Sequence, residues 1–175
     1  MPQVQLLSYQ SSFLDPFIAW RNEPLAVQHN PFKQMCRDEI AAMLESEGSS
    51  LTDLTKYASY RWFVEVEREV VGSISLKNIS HSMGYAEIGY GIGEAFQGKG
   101  MATAAVGFLV NRIFRETSLR KLTALVHDKN RASRRVLEKL GFRQEGLLRE
   151  HYLIRGNPVD EVFYGLLKQD WARLE

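Results

Sequence analysis

The segment Gln97-Gly98-Lys99-Gly100-Met101-Ala102 constrains this chain more than any other, because it joins a predicted strand to a predicted helix. Tyr85 to Ile92 reads as the strand, and Met101 to about Arg115 as the helix. Glycines let the backbone turn sharply and bring N–H groups close to a ligand. The first turn of a helix leaves N–H donors without partners and carries partial positive charge. Together these features make an anion site, and Ala102 adds little bulk to its approach. A P-loop is excluded, because Gly98-Lys99 is followed by Gly100 with no Ser or Thr next. No Gly-x-Gly-x-x-Gly falls in register with the turn. Gly89, Gly91 and Gly93 lie within the strand reading, where glycine marks a bulge or a close backbone approach. On the hexapeptide alone, a plain glycine turn without a ligand is an equal reading.

A second half of the constellation follows about thirty residues later. Leu122 to Val126 reads as a short buried strand, and Asn130-Arg131-Ala132-Ser133 opens a helix that runs to Leu140. Gly141 stands at the expected left-handed cap. Asn130 suits an N-cap by residue type, with or without a ligand. The strand–helix–strand unit from Tyr85 to Val126 puts the loop at Gln97–Met101 at the carboxyl end of a strand, where open sheets bind ligands.

The rest of the chain surrounds this unit. Val4 to Tyr9 reads as a strand, and Phe13 to Gln28 as helix divided at Pro24. Arg37 to Glu47 is a further helix, and Gly48 to Tyr60 a polar loop or a short helix. Trp62 to Val66 and Val70 to Ile79 alternate as strands, with a tight hairpin at Glu67-Arg68-Glu69 and a turn at Met83-Gly84. Phe142 to Leu148, His151 to Arg155 and Glu161 to Leu167 read as three closing strands, the last after a turn at Gly156-Asn157-Pro158. This order predicts one α/β (α+β) domain over residues 1–175 around a central sheet.

A length of 175 residues suits one substantial core. The formal net charge of +1 argues against nucleic acid as partner. Cys36 is the only cysteine, so no intrachain disulfide can form. The opening MPQVQLLSYQ lacks a signal-peptide pattern, and no apolar run approaches the roughly 18 residues of a membrane span. A cytoplasmic protein, monomer or homodimer and off the membrane, is expected.

Taken in order, Gln-x-x-Gly-x-Ala, Asn-x-x-Ser, Leu140-Gly141-Phe142 and Glu145-Gly146 resemble the GNAT acetyltransferases. Trp20-Arg21-Asn22-Glu23-Pro24, Ala86-Glu87-Ile88-Gly89-Tyr90, and Gly156 with Asp160 are similar to the RimJ/RimL-like N-terminal acetyltransferases within them. The match runs from about residue 15 to 167. The resemblance implies a mixed, mostly antiparallel sheet flanked by helices, whose strands Tyr85–Ile92 and Leu122–Val126 splay into a V holding acetyl-CoA. Its pyrophosphate would lie on the amides of Gly98 to Ala102, within the set Gln97, Gly98, Lys99, Gly100, Met101 and Ala102. Backbone groups at Ile92 and Gly93 and the Asn130 side chain would meet the pantetheine arm. Lys99, Arg131, Arg134 and Arg135 would reach the adenosine phosphates, or form a solvated basic face. No metal is implied.

Acetyl transfer to nitrogen needs a neutral amine, a stabilised oxyanion and a departing thiolate. The resemblance places the oxyanion donor at a backbone N–H near Ile92. Many GNAT enzymes carry a tyrosine acid seven residues after the loop asparagine, but that position here is Leu137. Ser133 then becomes the candidate to hydrogen-bond the sulfur. Glu87 is a candidate base through water, or a paired strand carboxylate. Tyr152 stands where some members have a glutamate, beside Glu150 and His151. His127 and Asp128 fit a local loop role as well as catalysis.

The expected acceptor is a protein or peptide N-terminal amine, since an α-amine with pKa near ~7.8 is roughly a tenth neutral at pH 7 and asks little of its base. The alternatives are a small-molecule amine such as a polyamine, amino sugar or antibiotic, and a non-catalytic acyl-CoA sensor. A polyamine site would display acids, with Glu23, Glu39 and Glu45 as the residues to supply them.

Overall fold

In a computed structural model, which describes residues 3–173, the chain builds one seven-stranded sheet. The strands are β1 (Val4–Leu7), β2 (Tyr60–Val66), β3 (Glu69–Ser80), β4 (Tyr85–Ile92), β5 (Lys121–His127), β6 (Arg143–Ile154) and β7 (Asn157–Leu167). The helices are α1 (Leu14–Asn22), α2 (Pro24–His29), α3 (Arg37–Ser46), α4 (Met101–Glu116), α5 (Arg131–Lys139) and α6 (Lys168–Trp171). The sheet order is β1-β2-β3-β4-β5-β7-β6, and β4–β5 is its one parallel pair. A single mixed, mostly antiparallel sheet flanked by helices agrees with the sequence reading.

The pleat sorts the two faces by chemistry. One face carries Trp62, Ile74, Leu76, Ile88, Leu122, Ala124 and Tyr164, all buried beneath α4 and α5. Helix α4 supplies Val106, Leu109, Val110 and Ile113 to that core, at the three- and four-residue spacing that makes one helical stripe. The register puts every buried polar residue, Ser73, Ser75, Glu87, Thr123, His127 and Glu161, on the opposite face. There α1 and α3 bury a smaller cluster around Phe63, ringed by Tyr9, Phe13 and Phe17.

Several local expectations are corrected. The segments Phe142–Leu148 and His151–Arg155 form one strand, β6, whose register shifts between Leu148 and Tyr152. Glu150 sits there at φ 48, and the unpaired residues mimic a gap in the sequence pattern. The hairpin turn is Arg155-Gly156, with φ of 51 and 77, so β7 begins at Asn157 and includes Pro158. Glu67 and Arg68, at φ 51 and 68, make the expected tight turn between β2 and β3. The polar 48–60 segment is pinned to the core by Leu51, by Trp62 Nε1–H on the Ser49 carbonyl (2.6 Å) and by Tyr60 O–H on the Asp53 carbonyl (2.6 Å). Helix α6 follows β7 with no forewarning in the sequence pattern, and Trp171 packs on Phe114.

Candidate active site

Strands β4 and β5 pair only through Tyr85–Lys121, Ala86–Leu122 and Glu87–Thr123. Both then continue, to Ile92 and to His127, and part. Strand β3 keeps hold of β4: Gly93 gives its N–H to the Val71 carbonyl at 3.0 Å. Antiparallel alternation turns the N–H groups of Tyr90 and Ile92 the other way, toward the gap. Backbone groups on such an edge require partners. Gly93 has both its groups engaged inside the protein, its carbonyl accepting from Phe96 N–H at 2.9 Å. A Cβ there would meet Trp20 at 2.6 Å. Among the sequence candidates, Ile92 thus presents the gap edge, and Gly93 serves the packing of Trp20.

The glycine loop lies at the mouth of the gap. Gly98 and Gly100 take φ of 75 and 79, and a Cβ on either would meet nothing within 4 Å. Backbone conformation and open space both favour glycine there. The first intrahelical bond of α4 runs from Ala104 N–H to the Gly100 carbonyl (3.0 Å). The N–H groups of Met101, Ala102 and Thr103 therefore have no acceptor within the helix. Gln97 Nε2 ties the loop to the gap edge by donating to the Ile92 carbonyl at 2.8 Å. Lys99 bends back to the Ala95 carbonyl at 3.2 Å. Arg131 and Arg135 are exposed. Arg134 is drawn away from a phosphate role onto the Tyr164 hydroxyl (3.1 Å) and the Asp128 carbonyl (3.2 Å).

Helix α5 closes the far side. Asn130 caps it, Oδ1 accepting from Ser133 N–H at 3.0 Å. Ser133 Oγ lies 2.9 Å from the Tyr90 hydroxyl, which also donates to the Ser133 carbonyl at 3.0 Å. This contact bridges α5 to β4 across the gap. Burial pushes the Tyr90 pKa well above its ordinary value, outweighing the Ser133 hydrogen bond, so the phenol keeps its proton. Tyr90 escaped the sequence search because it reads as one more alternating strand residue. Leu137 is wholly buried in the core, so no acid stands at that position.

The polar face carries the remaining candidates. Glu87 pairs with Lys77 (3.1 Å) and accepts from Asn78 Nδ2 (2.8 Å). Glu161 is buried and accepts from His151 Nδ1 at 2.5 Å. Burial and a hydrogen bond to Glu161 raise the Tyr152 pKa, so Tyr152 is a donor at neutral pH and not a base. His127 stands opposite Glu161 in the β5–β7 register, only 6% exposed. Its Nδ1 lies 2.9 Å from Nδ1 of His29, while its Nε2 makes no hydrogen bond. His29 ends α2, whose other end is fixed to the segment after β4 by Leu25 N–H to Glu94 (2.8 Å) and Glu94 N–H to Glu23 (2.9 Å). Helix α2 therefore spans the mouth of the V. Sequence reasoning placed His127 at a strand end but had no signal for His29, 98 positions away.

The fold that carries this strand edge, glycine loop and hydroxyl pair has known counterparts. Residues 4–143 match the acetyltransferase (GNAT) domain family. The chain belongs to that family. It is 40% identical over 100 residues to the putative ribosomal N-acetyltransferase YdaF of Bacillus subtilis, covering 57% of this chain and 55% of that protein. It is 30% identical over 107 residues to the ribosomal protein uS5-alanine N-acetyltransferase of Escherichia coli, covering 61% and 55%. The chain thus spans little more than half the length of the curated relatives it matches. The spermidine N-acetyltransferase of Vibrio cholerae, solved with CoA and spermine, superposes with a TM-score of 0.82 at 22% identity over 97% of this chain and 98% of that one. At that identity the likeness is one of fold. Among the described residues no group of His, Cys, Asp and Glu is placed to hold a metal, and no helix is long and apolar enough to cross a membrane.

Proposed function

We propose that this chain is an acetyl-CoA-dependent N-acetyltransferase of the RimJ/RimL-like kind, acting on a primary amine, with a peptide α-amine as the favoured acceptor. The observation that carries the reading is the unpaired β4 edge at Tyr90 and Ile92, leading to the open first turn of α4. An extended, amide-bearing arm with a pyrophosphate matches both features. Acetyl-CoA supplies the activated thioester. The Ile92 N–H faces the gap as the oxyanion donor, a role typically worth about 3 kcal/mol. Gly98 to Ala102 hold the pyrophosphate, with Lys99 and Arg135 as outer cations, and the Nδ2 group of Asn130 faces the arm.

The Ser133 hydroxyl hydrogen-bonds the departing sulfur, and the Tyr90 hydroxyl, which keeps its proton, holds Ser133 in place. The His29–His127 pair receives the amine proton. Its place at the mouth of the V favours it over Glu87, which Lys77 and Asn78 already engage; His127 Nε2 makes no hydrogen bond and has the Asp128 carboxylate 3.3 Å away. The ribosomal-protein names among the relatives favour a peptide acceptor; the spermidine enzyme represents the polyamine alternative. Thiol release from acetyl-CoA across peptides, spermidine and an aminoglycoside tests the reading, with acetylation confirmed by mass. Tight acetyl-CoA binding with no turnover on any amine would replace it with a sensor role.

A further inference from the structure

A cleft of about 930 Å³ lies between α1, α2, the segment 31–36, the start of α3 and the β6–β7 hairpin tip. Helix α2, which carries His29 to the mouth of the V, contributes Val27 to its lining. Arg21, Lys33, Arg37 and Arg155 line it, and no Asp or Glu does.

The carboxylates nearby are already engaged. Asp15 pairs with Arg37, which also holds its carboxyl below the usual range. Glu39 accepts the Cys36 N–H at 2.7 Å, and Glu23 accepts the Glu94 N–H at 2.9 Å. Two of the three acids that a polyamine site would have drawn on therefore serve backbone donors. Glu45, the third, does not line the cleft. Arg21 and Arg155 belong to none of the ion pairs among the described residues, and Lys33 acts on Glu39 only beyond ion-pair contact.

Arg21 is the best prepared of the three. Its guanidinium stacks on Phe32 at 4.3 Å from the ring centre and donates to the Lys33 carbonyl at 3.3 Å. It is half-buried, and burial, with Arg61 nearby, lowers its pKa. A half-buried cation without a counter-ion is disfavoured, and an anion entering the cleft removes that penalty. A stacked, planar guanidinium loses little freedom when it binds a carboxylate or phosphate.

We infer that the acceptor carries an anionic group, a carboxylate or a phosphate, beside the amine it presents, and that Arg21 and Lys33 bind this group. The inference rests on the acetyltransferase reading. A polycation such as spermidine meets like charge throughout this cleft.

The test compares acceptors matched except in charge. Peptides with N-terminal Ser-Asp-Glu are set against Ser-Lys-Arg, and 2-aminoethyl phosphate against ethylenediamine. The two arms separate a peptide carboxylate from a phosphate as the source. The anionic member of at least one arm is expected to show kcat/KM about tenfold higher, with the ratio shrinking at high salt. Arg21→Gln and, separately, the exposed Lys33→Glu should each bring that ratio toward one. Calorimetric binding of the N-acetylated peptides to the CoA-loaded protein reads the same preference without turnover. Equal or inverted preference in both measurements overturns the inference while leaving the transferase reading intact. Absent turnover combined with retained anionic preference in binding strikes the transferase reading alone.

Discussion

The Nδ1 atoms of His29 and His127 stand 2.9 Å apart, joining the end of α2 to the end of β5. One ring must donate and the other accept, so the contact holds a single proton between them. A second proton would set two N–H donors face to face. Burial, and then His127, hold the His29 pKa below its ordinary value. Asp128 lies beside His127 Nε2, and Glu161, with His151 and Tyr152 bonded to it, faces His127 from β7 and β6.

His29, whose pKa burial lowers, should stay unprotonated through neutral pH and so leave the contact able to take up a proton there. For the wild type, kcat at saturating acceptor is expected to fall only below about pH 6.5, the ordinary imidazole value. His127→Asn should lower kcat by about 10²- to 10³-fold and flatten that acid limb. Glu87→Gln should leave the limb in place. An unchanged limb in His127→Asn removes the histidines from the mechanism.

The Tyr90–Ser133 contact predicts a shared role in releasing the thiolate. Tyr90→Phe and Ser133→Ala are each expected to lower kcat about tenfold, with acetyl-CoA affinity little changed. Residues that act as one unit are non-additive, so the double variant should be no slower than the worse single one. Multiplying effects in single-turnover kinetics would show that the two hydroxyls act separately.

The chemistry of the cofactor side was legible because it is local. Gln97 to Ala102 and Asn130 to Ser133 each lie within one turn, where glycine conformation and helix ends act over a few residues. The acceptor side was not legible in the same way. His29 and His127 meet only because α2 is pinned at Glu94, and Arg21 faces the cleft only because α1 packs on Phe63. Such contacts depend on tertiary placement, to which periodicity is blind. Tyr152 illustrates the limit: its place beside Glu161, which keeps it protonated, depends on the β6 register shift. The helix, strand and hairpin positions up to Gly141 followed from pattern, whereas the irregular β6 broke the alternation on which strand reading depends.

The depressed His29 pKa has a consequence for folding. Its folded value lies below the unfolded value of about 6.5, so the unfolded state binds the proton more readily. The stabilisation is complete above that pH and is lost as pH falls through the folded value. Thermal melts should show Tm declining below about pH 6.5 more steeply in the wild type than in His29→Gln. Parallel declines in the two proteins would mean that His29 contributes nothing to the acid sensitivity.

Two glycines separate backbone conformation from steric clash. Gly100 needs its φ of 79 but has open space where a Cβ would go. Gly100→Ala should therefore cost about 1–2 kcal/mol of local strain and weaken acetyl-CoA binding about tenfold, by disturbing the entry to α4. Gly72 is the reverse case: a Cβ there would lie 2.2 Å from the Gly91 carbonyl, which belongs to the β3–β4 ladder. Neither strand can retreat without breaking that ladder, so Gly72→Ala should destabilise the fold by roughly 2–4 kcal/mol. Calorimetric titration with CoA and thermal melts on both variants check the contrast. A larger Tm loss for Gly100→Ala than for Gly72→Ala would show that the loop, and not the strand pair holding the gap open, carries the stability of this end of the sheet.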